Sequence, residues 1–242
     1  MSAAARRVEL APGYILHHQP WRDTSRILEV LTREHGRLSL FARAVRGPAA
    51  RLAPVLQPFR PLLLSFSGRG EAAYLRHAER ADACAPLPPE RVMPGFYLNE
   101  LLLKLTTRHD PQPALFDHYH ATLGELRAAK PLEPALRLFE KRLLELLGYG
   151  LELAAEAGGA PLAADGYYHY RPAAGLTRTD GRSPGALAGG SLIGLRAERF
   201  DGARALEDAR RVLQAALGAC LEGRPLATRA VARSMVRKAA RS

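Results

Sequence analysis

Cysteine is almost missing from this chain: Cys84 and Cys220 are the two it has. That excludes a disulfide framework and a four-thiolate metal site, and both thiols are expected to be small buried apolar groups in a reducing compartment. Lysine is scarce as well, limited to Lys104, Lys130, Lys141 and Lys238, and tryptophan occurs once, as Trp21. No apolar run approaches the roughly 18 residues of a membrane span. Arg6 and Arg7 are followed by Glu9 and Pro12 before any long apolar stretch, so no secretory leader is expected. A GxxxxGK[ST] loop is lacking, which argues against nucleotide hydrolysis. Acidic residues are scattered, without the clusters that metal-assisted hydrolysis needs. Asp117, His118 and His120 are close in sequence, but positions i and i+2 lie on different sides of a helix and make a poor ligand set. His17 and His18 would alternate faces on a strand. The expectation is a cytoplasmic protein that is not an enzyme and needs neither metal nor cofactor.

What the chain has is arginine. Lys and Arg number 35 against 24 Asp and Glu, a net charge of +11, and that excess points to a polyanion, nucleic acid before membrane. Abundant Ala, Gly and Pro beside the arginine reflect a compositional bias that weakens the count but not the sign. A hydrophobic fraction of 47% over 242 residues supports a real core.

Between Gly13 and Glu79 five short apolar runs follow one another: GYILHH, SRILEVLT, RLSLFA, FRPLLLSF and AAYLRHA. Glu34-His35-Gly36 and Gly68-Arg69-Gly70 are hairpin connections, Gly36 supplying the positive φ that such turns need. Pro58 and Pro61 mark a strand start or an edge. Five strands in this span predict a small OB-type β-barrel, a fold that grips single-stranded nucleic acid. The loop after the third run carries Arg43, Arg46 and Arg51, flanked by Arg33 and Arg37, and can track a phosphate backbone; a solvated loop is the plain alternative. Trp21, Phe41 and Phe59 are available for base stacking, or for the barrel core.

After Ala85-Pro-Leu-Pro-Pro the period changes from two to about 3.6. Three helical stripes follow, with short proline-marked joints, and predict a small bundle: Leu98, Leu101, Leu102 and Leu105; Leu115, Tyr119, Leu123 and Leu126; Leu136, Phe139 and Leu143 with Leu146 or Leu147. Arg137 lies beside the third stripe, where its guanidinium could border an apolar groove and take a peptide carboxylate. From 150 to about 195 the text is Gly- and Ala-rich, with a minor hairpin expected from Tyr167–Tyr170 and Leu176–Arg178. Helical text resumes at 205–221 and again from Thr228, a fair N-cap. On that last helix Arg229, Arg233, Arg237 and Arg241 sweep one side, offered to nucleic acid or simply solvated. The fold class is therefore α+β: a barrel domain over 1–82 and a mainly helical domain over 83–242 that contains the Gly-rich insertion.

The segments GYILHHQPWRDTSRILEVLTREHGRLSLFARAVRG, LQPFRPLLLSFSGRGE, FYLNELLLKL, EPALRLFEKRLLELLGYG and GRPLATRAV, in this order, resemble the bacterial DNA repair protein RecO family of recombination mediators. The resemblance implies an N-terminal OB barrel and a helical domain. It implies binding of single- and double-stranded DNA, annealing of complementary strands, and help in loading RecA onto strands coated by single-strand-binding protein, in the nucleoid. It implies RecR as partner, in many bacteria RecF as well, and docking of the acidic C-terminal tail of single-strand-binding protein on the helical domain, where Leu136, Arg137 and Phe139 fall in the matching ALRLFE. One departure is plain: the four-cysteine zinc module of many members is replaced here by LELAAEAGGAPLAADG, so zinc is not carried over. The alternative from another class is an RNA-binding or ribosome-associated barrel protein.

Overall fold

The computed structural model describes residues 6–43, 45, 52–69, 72–228 and 230–231. They fall into two compact units, one drawn from residues 6–128 together with 226–228 and 230–231, the other from residues 129–225.

In the first unit β1 (Arg6–Trp21), β2 (Ser25–Thr32), β3 (Gly36–Ala42), β4 (Leu62–Arg69) and β5 (Ala72–Arg80) close a barrel in the order β1-β2-β3-β5-β4. β1 is longer than the expected run GYILHH. β1 pairs with β4 through its first half and with β2 through its second, and Gly13 is paired on both sides. A Cβ at Gly13 would lie 2.8 Å from Leu64 Cδ1, so a larger residue at the strand's changeover would have to shift that side chain. Strict alternation on β3 sends Leu38, Leu40 and Ala42 inward, where they meet Ile15, Leu28, Val30, Leu62 and Leu64. Gly36 turns the β2–β3 hairpin at φ 66, and a Cβ there would run into the backbone of Asp110.

Helices α1 (Pro89–Leu105) and α2 (Pro113–Arg127) belong to this barrel unit. Asn99 is buried and donates to Leu16 O at 2.8 Å, while Tyr119 Oη donates to Asn99 Oδ1 at 2.6 Å. That relay satisfies polar groups which would otherwise be costly to bury. The C-terminal segment returns to α1, where the Glu100 carboxylate accepts the Ala227 and Thr228 N–H groups at 2.8 and 2.9 Å. The Thr228 hydroxyl donates to the same carboxylate, so the helix start is capped by Glu100 rather than by Thr228.

The second unit holds α3 (Leu132–Leu146), β6 (Tyr167–Arg171), β7 (Gly175–Thr179), β8 (Leu187–Ala188), α4 (Gly189–Arg196) and α5 (Gly202–Cys220). The three-helix bundle expected from the sequence is thus corrected: α1 and α2 lie in one unit, and α3 in the other, where it packs on α5. The β6–β7 hairpin is present, and β8 adds a third strand. Tyr168 ties this region together: its ring is fully buried and its hydroxyl accepts the Ala163 N–H at 2.8 Å. A Cβ at Gly166 would press on the Tyr168 hydroxyl, and one at Gly189 would run into the Ala163 carbonyl oxygen, so both positions take glycine. Asp208 of α5, also fully buried, accepts the Ala188 N–H and the Arg204 Nε–H, which clasps β8 to the helix.

Candidate nucleic-acid interface

Because β3 turns its even-numbered residues inward, Arg37, Ser39 and Phe41 face out. Phe41 is paired in register with Tyr74 of β5, whose neighbours Ala73 and Leu75 pack on the core. Trp21 ends β1 beside them. The rings form a continuous strip, Trp21 to Phe41 at 6.2 Å between centroids and Phe41 to Tyr74 at 5.6 Å, edge-on or tilted rather than stacked flat. Trp21 is 44% exposed and Tyr74 37%. The guanidinium carbon of Arg43, just past β3, sits 4.8 Å from the Tyr74 ring centroid. Exposed aromatic faces with a cation beside them stack nucleobases and neutralise phosphate.

Of the expected arginines that lie among the described residues, Arg43 is the one brought to this strip. Arg33 donates through Nε and Nη2 to the two carboxylate oxygens of Asp117 at 2.8 and 2.9 Å. This bidentate pair, above all its hydrogen bonds, holds the guanidinium pKa up and the Asp117 carboxyl below the usual range. Arg37 donates to Glu29 at 3.0 Å and to Thr106 O at 2.8 Å, and Arg108 and Ser39 share the same glutamate. Both cations are held by carboxylates of the protein itself. Arg46, Arg51, Arg229, Arg233 and Arg237 lie outside the described residues. Phe59 lies in the turn before β4, 8% exposed at φ 64, packed edge-on against Phe96 with its carbonyl held by Arg127. Tyr74 was not singled out from the sequence, although its place between inward Ala73 and Leu75 is the period-two signal that would have found it.

Arg137 is not at the rim of an open groove. It is 4% exposed, with Leu136 at 8%, and Phe139 and Glu140 at 0%. Its Nη2 donates to Glu140 Oε1 at 2.7 Å, and Nη1 lies 3.7 Å from Glu133 Oε2. The helical stripe is broad enough to take 137 and 140 inside along with 136 and 139, which the narrow stripe read from the leucines did not allow. Nε and Nη1 have no hydrogen-bond partner among the described residues.

Among the described residues no three His, Cys, Asp or Glu side chains converge on a point where a metal could sit. Asp117 is drawn to Arg33, while His120 Nδ1 lies 2.6 Å from Tyr14 Oη. The His17 and His18 rings lie 6.5 Å apart and nearly parallel, with His17 paired to Glu29 of β2 and His18 to Leu28. Burial and a hydrogen bond to Asp82 push the Cys84 thiol up, and burial does the same for Cys220, so neither is an activated nucleophile. None of the helices among the described residues is long and apolar enough to cross a membrane.

A closed five-stranded barrel, here with an exposed aromatic and cationic strip on its outer face, defines an OB-fold protein. Residues 7–83 match the family model described as recombination protein O N terminal, and residues 89–229 match recombination protein O C terminal. The DNA repair protein RecO of Methylococcus capsulatus is 43% identical over 229 residues, covering 94% of both chains. Those of Chromobacterium violaceum and Azoarcus sp. are 42% and 38% identical, covering 92% and 97% of this chain and 94% and 99% of their own. The chain belongs to the RecO family of DNA repair proteins. Neither the family descriptions nor these relatives' names state a catalytic activity.

Proposed function

We propose that this protein is a recombination mediator: it binds single- and double-stranded DNA, anneals complementary strands, and helps load RecA onto strands coated by single-strand-binding protein, acting at the bacterial nucleoid. The observation that carries the reading is the Trp21–Phe41–Tyr74 strip with Arg43 over its end. Each stacked base is worth about 1–3 kcal/mol and is accepted whatever its identity, which suits a protein that must hold any sequence. The net charge of +11 adds salt-sensitive attraction for phosphate.

RecR, and RecF where present, are the proposed protein partners, with the acidic tail of single-strand-binding protein docking on α3 at Leu136, Arg137 and Phe139. What supports the tail site is Arg137: two of its nitrogens lack hydrogen-bond partners among the described residues, so a peptide carboxylate reaching it would find donors already desolvated. Docking then requires α3 to yield its cover over the guanidinium.

Annealing of complementary fluorescent strands tests the central reading. The triple variant Trp21→Ala, Phe41→Ala and Tyr74→Ala should lose most of the annealing rate while remaining folded. Undiminished annealing, or tighter binding of structured RNA than of single-stranded DNA of equal length, would overturn it.

A further inference from the structure

Strand β4 is flanked by two β-bulges at the same level. Against β1 the register passes from Val8–Phe66 to Ala11–Leu64, so Glu9 and Leu10 together oppose Ser65. Against β5 it passes from Leu75–Phe66 to His77–Ser65, so Arg76 is the extra residue. A bulge breaks the in–out alternation and re-aims side chains. Val8, Ala11, Leu75 and Ala78 pack in or on the barrel core, so Glu9 with Leu10, and Arg76 with His77, are consecutive pairs that both face solvent. Leu10 takes φ 51, with its N–H held by Ser65 Oγ at 3.0 Å. Leucine rarely adopts that conformation, and at 48% exposure it is not rewarded by burial.

Between the bulges runs a groove of about 700 Å³, lined by Arg7, Leu10, Ser65, Ser67, Arg76 and His77, with Phe66 behind them. Arg76 spends only its Nε on the protein, donating to Ser67 Oγ at 2.8 Å; its terminal nitrogens have no partner among the described residues. Arg7 pairs with Glu9 at 2.8 Å, but both side chains are well exposed, so water screens the pair and either can exchange partners. Glu9 is the single carboxylate of the lining among the described residues.

The groove is continuous with the aromatic strip. Phe41 is in register with Tyr74, Tyr74 with Ser67, and Ser67 with Arg7, one row across β3, β5, β4 and β1. Three strand spacings of roughly 4.8 Å place Arg7 about 14 Å from Phe41 along that row.

We propose that the groove extends the nucleic-acid path. A single strand stacked on Trp21, Phe41 and Tyr74 continues over Ser67 into the groove, where Arg76 and Arg7 take its phosphates and exposed Leu10 packs on a sugar or base. This rests on the reading of the strip given above and adds to it the direction in which the strand runs and the residues at its far end. Cations at the two walls, serine hydroxyls between them and one unburied apolar side chain match a backbone carrying both phosphate and apolar faces.

The test uses the full chain with oligothymidylates of roughly 4 and 12 nucleotides, lengths within the range of sites on one OB fold. The double variant Arg7→Ala/Arg76→Ala should weaken the longer strand about tenfold and leave the shorter unchanged. With two phosphate contacts gone, the slope of log K against log salt for the longer strand should become shallower by about 1.4. Tyr74→Ala should weaken both lengths. Unchanged affinity and slope in the double variant, with Tyr74→Ala still weakening both, would end the path at Tyr74 and overturn the extension alone. No effect of Tyr74→Ala at either length would overturn the strip and the extension with it. Retained 12-mer affinity with loss of binding to an oligoglutamate peptide would assign the groove to a protein partner instead.

Discussion

Removing the guanidinium of Arg137 should unfold the unit that contains it before it reveals any role in binding. The side chain is 5% exposed, and the Glu140 carboxylate facing it is 0% exposed, with 2.7 Å between Nη2 and Oε1. Truncation to alanine deprives a desolvated carboxylate of that counter-charge, and breaking a buried pair in this way costs about 3–5 kcal/mol. A surface arginine would cost less than about 0.5 kcal/mol. The carboxylate, not the lost arginine contacts, is the source of the cost, so Arg137→Met combined with Glu140→Leu should recover most of it. Urea unfolding followed by circular dichroism, which resolves separate transitions if the two units melt independently, measures both variants against the parent. An Arg137→Ala protein within about 1 kcal/mol of the parent would refute the burial argument, because that value belongs to a solvated pair. The double variant is also the right protein for a tail-peptide titration, since it should stay folded while lacking the guanidinium.

Trp21→Ala, Phe41→Ala and Tyr74→Ala should each cost about 1–3 kcal/mol in binding single-stranded oligothymidylate, measured by anisotropy, with thermal midpoints little changed. Tyr168→Phe removes the acceptor of the Ala163 N–H and should destabilise by about 1–3 kcal/mol, read from the denaturant midpoint. Glu100 is pushed up by burial, but hydrogen bonds from Thr228 and Ala227 and the nearby Lys104 outweigh that and hold its carboxyl below the ordinary glutamate value. Its contribution to docking the C-terminal segment is therefore complete above that value and lost as pH falls through the lowered one. Hydrogen exchange at Ala227 and Thr228 should speed up over that fall, and in Glu100→Gln it should already be faster at neutral pH.

Strand boundaries were legible because turn chemistry and period-two alternation agree locally: SRILEVLT is β2 residue for residue, and Gly36 opens β3. The three helix stripes were legible for the same reason, but their assembly was not. Which apolar face meets which depends on long-range complementarity, and the leucines of α1 to α3 look alike while packing in different units. The Gly-rich region hid β8 and α4 because its order rests on the buried Tyr168 and Asp208 rather than on a run of apolar residues. The candidate site was legible in part. Arg43 stood out by charge, and alternation alone places Phe41 outside the barrel. The pairing of Arg33 with Asp117 and of Arg37 with Glu29 was not legible, because these partners are distant or across a strand and sequence spacing does not reveal such pairs. The groove beside β4 could not be read at all, since a bulge is a register event and leaves no composition signal here.

Trp21 is the protein's single tryptophan and stands at one end of the proposed stacking strip, so its fluorescence reports directly on the central claim. Oligothymidylate titrated at low salt should quench it saturably, in step with the anisotropy of a labelled strand, and added salt should reverse both together. Full binding by anisotropy with tryptophan emission unmoved would place the strand elsewhere on the molecule and contradict the account.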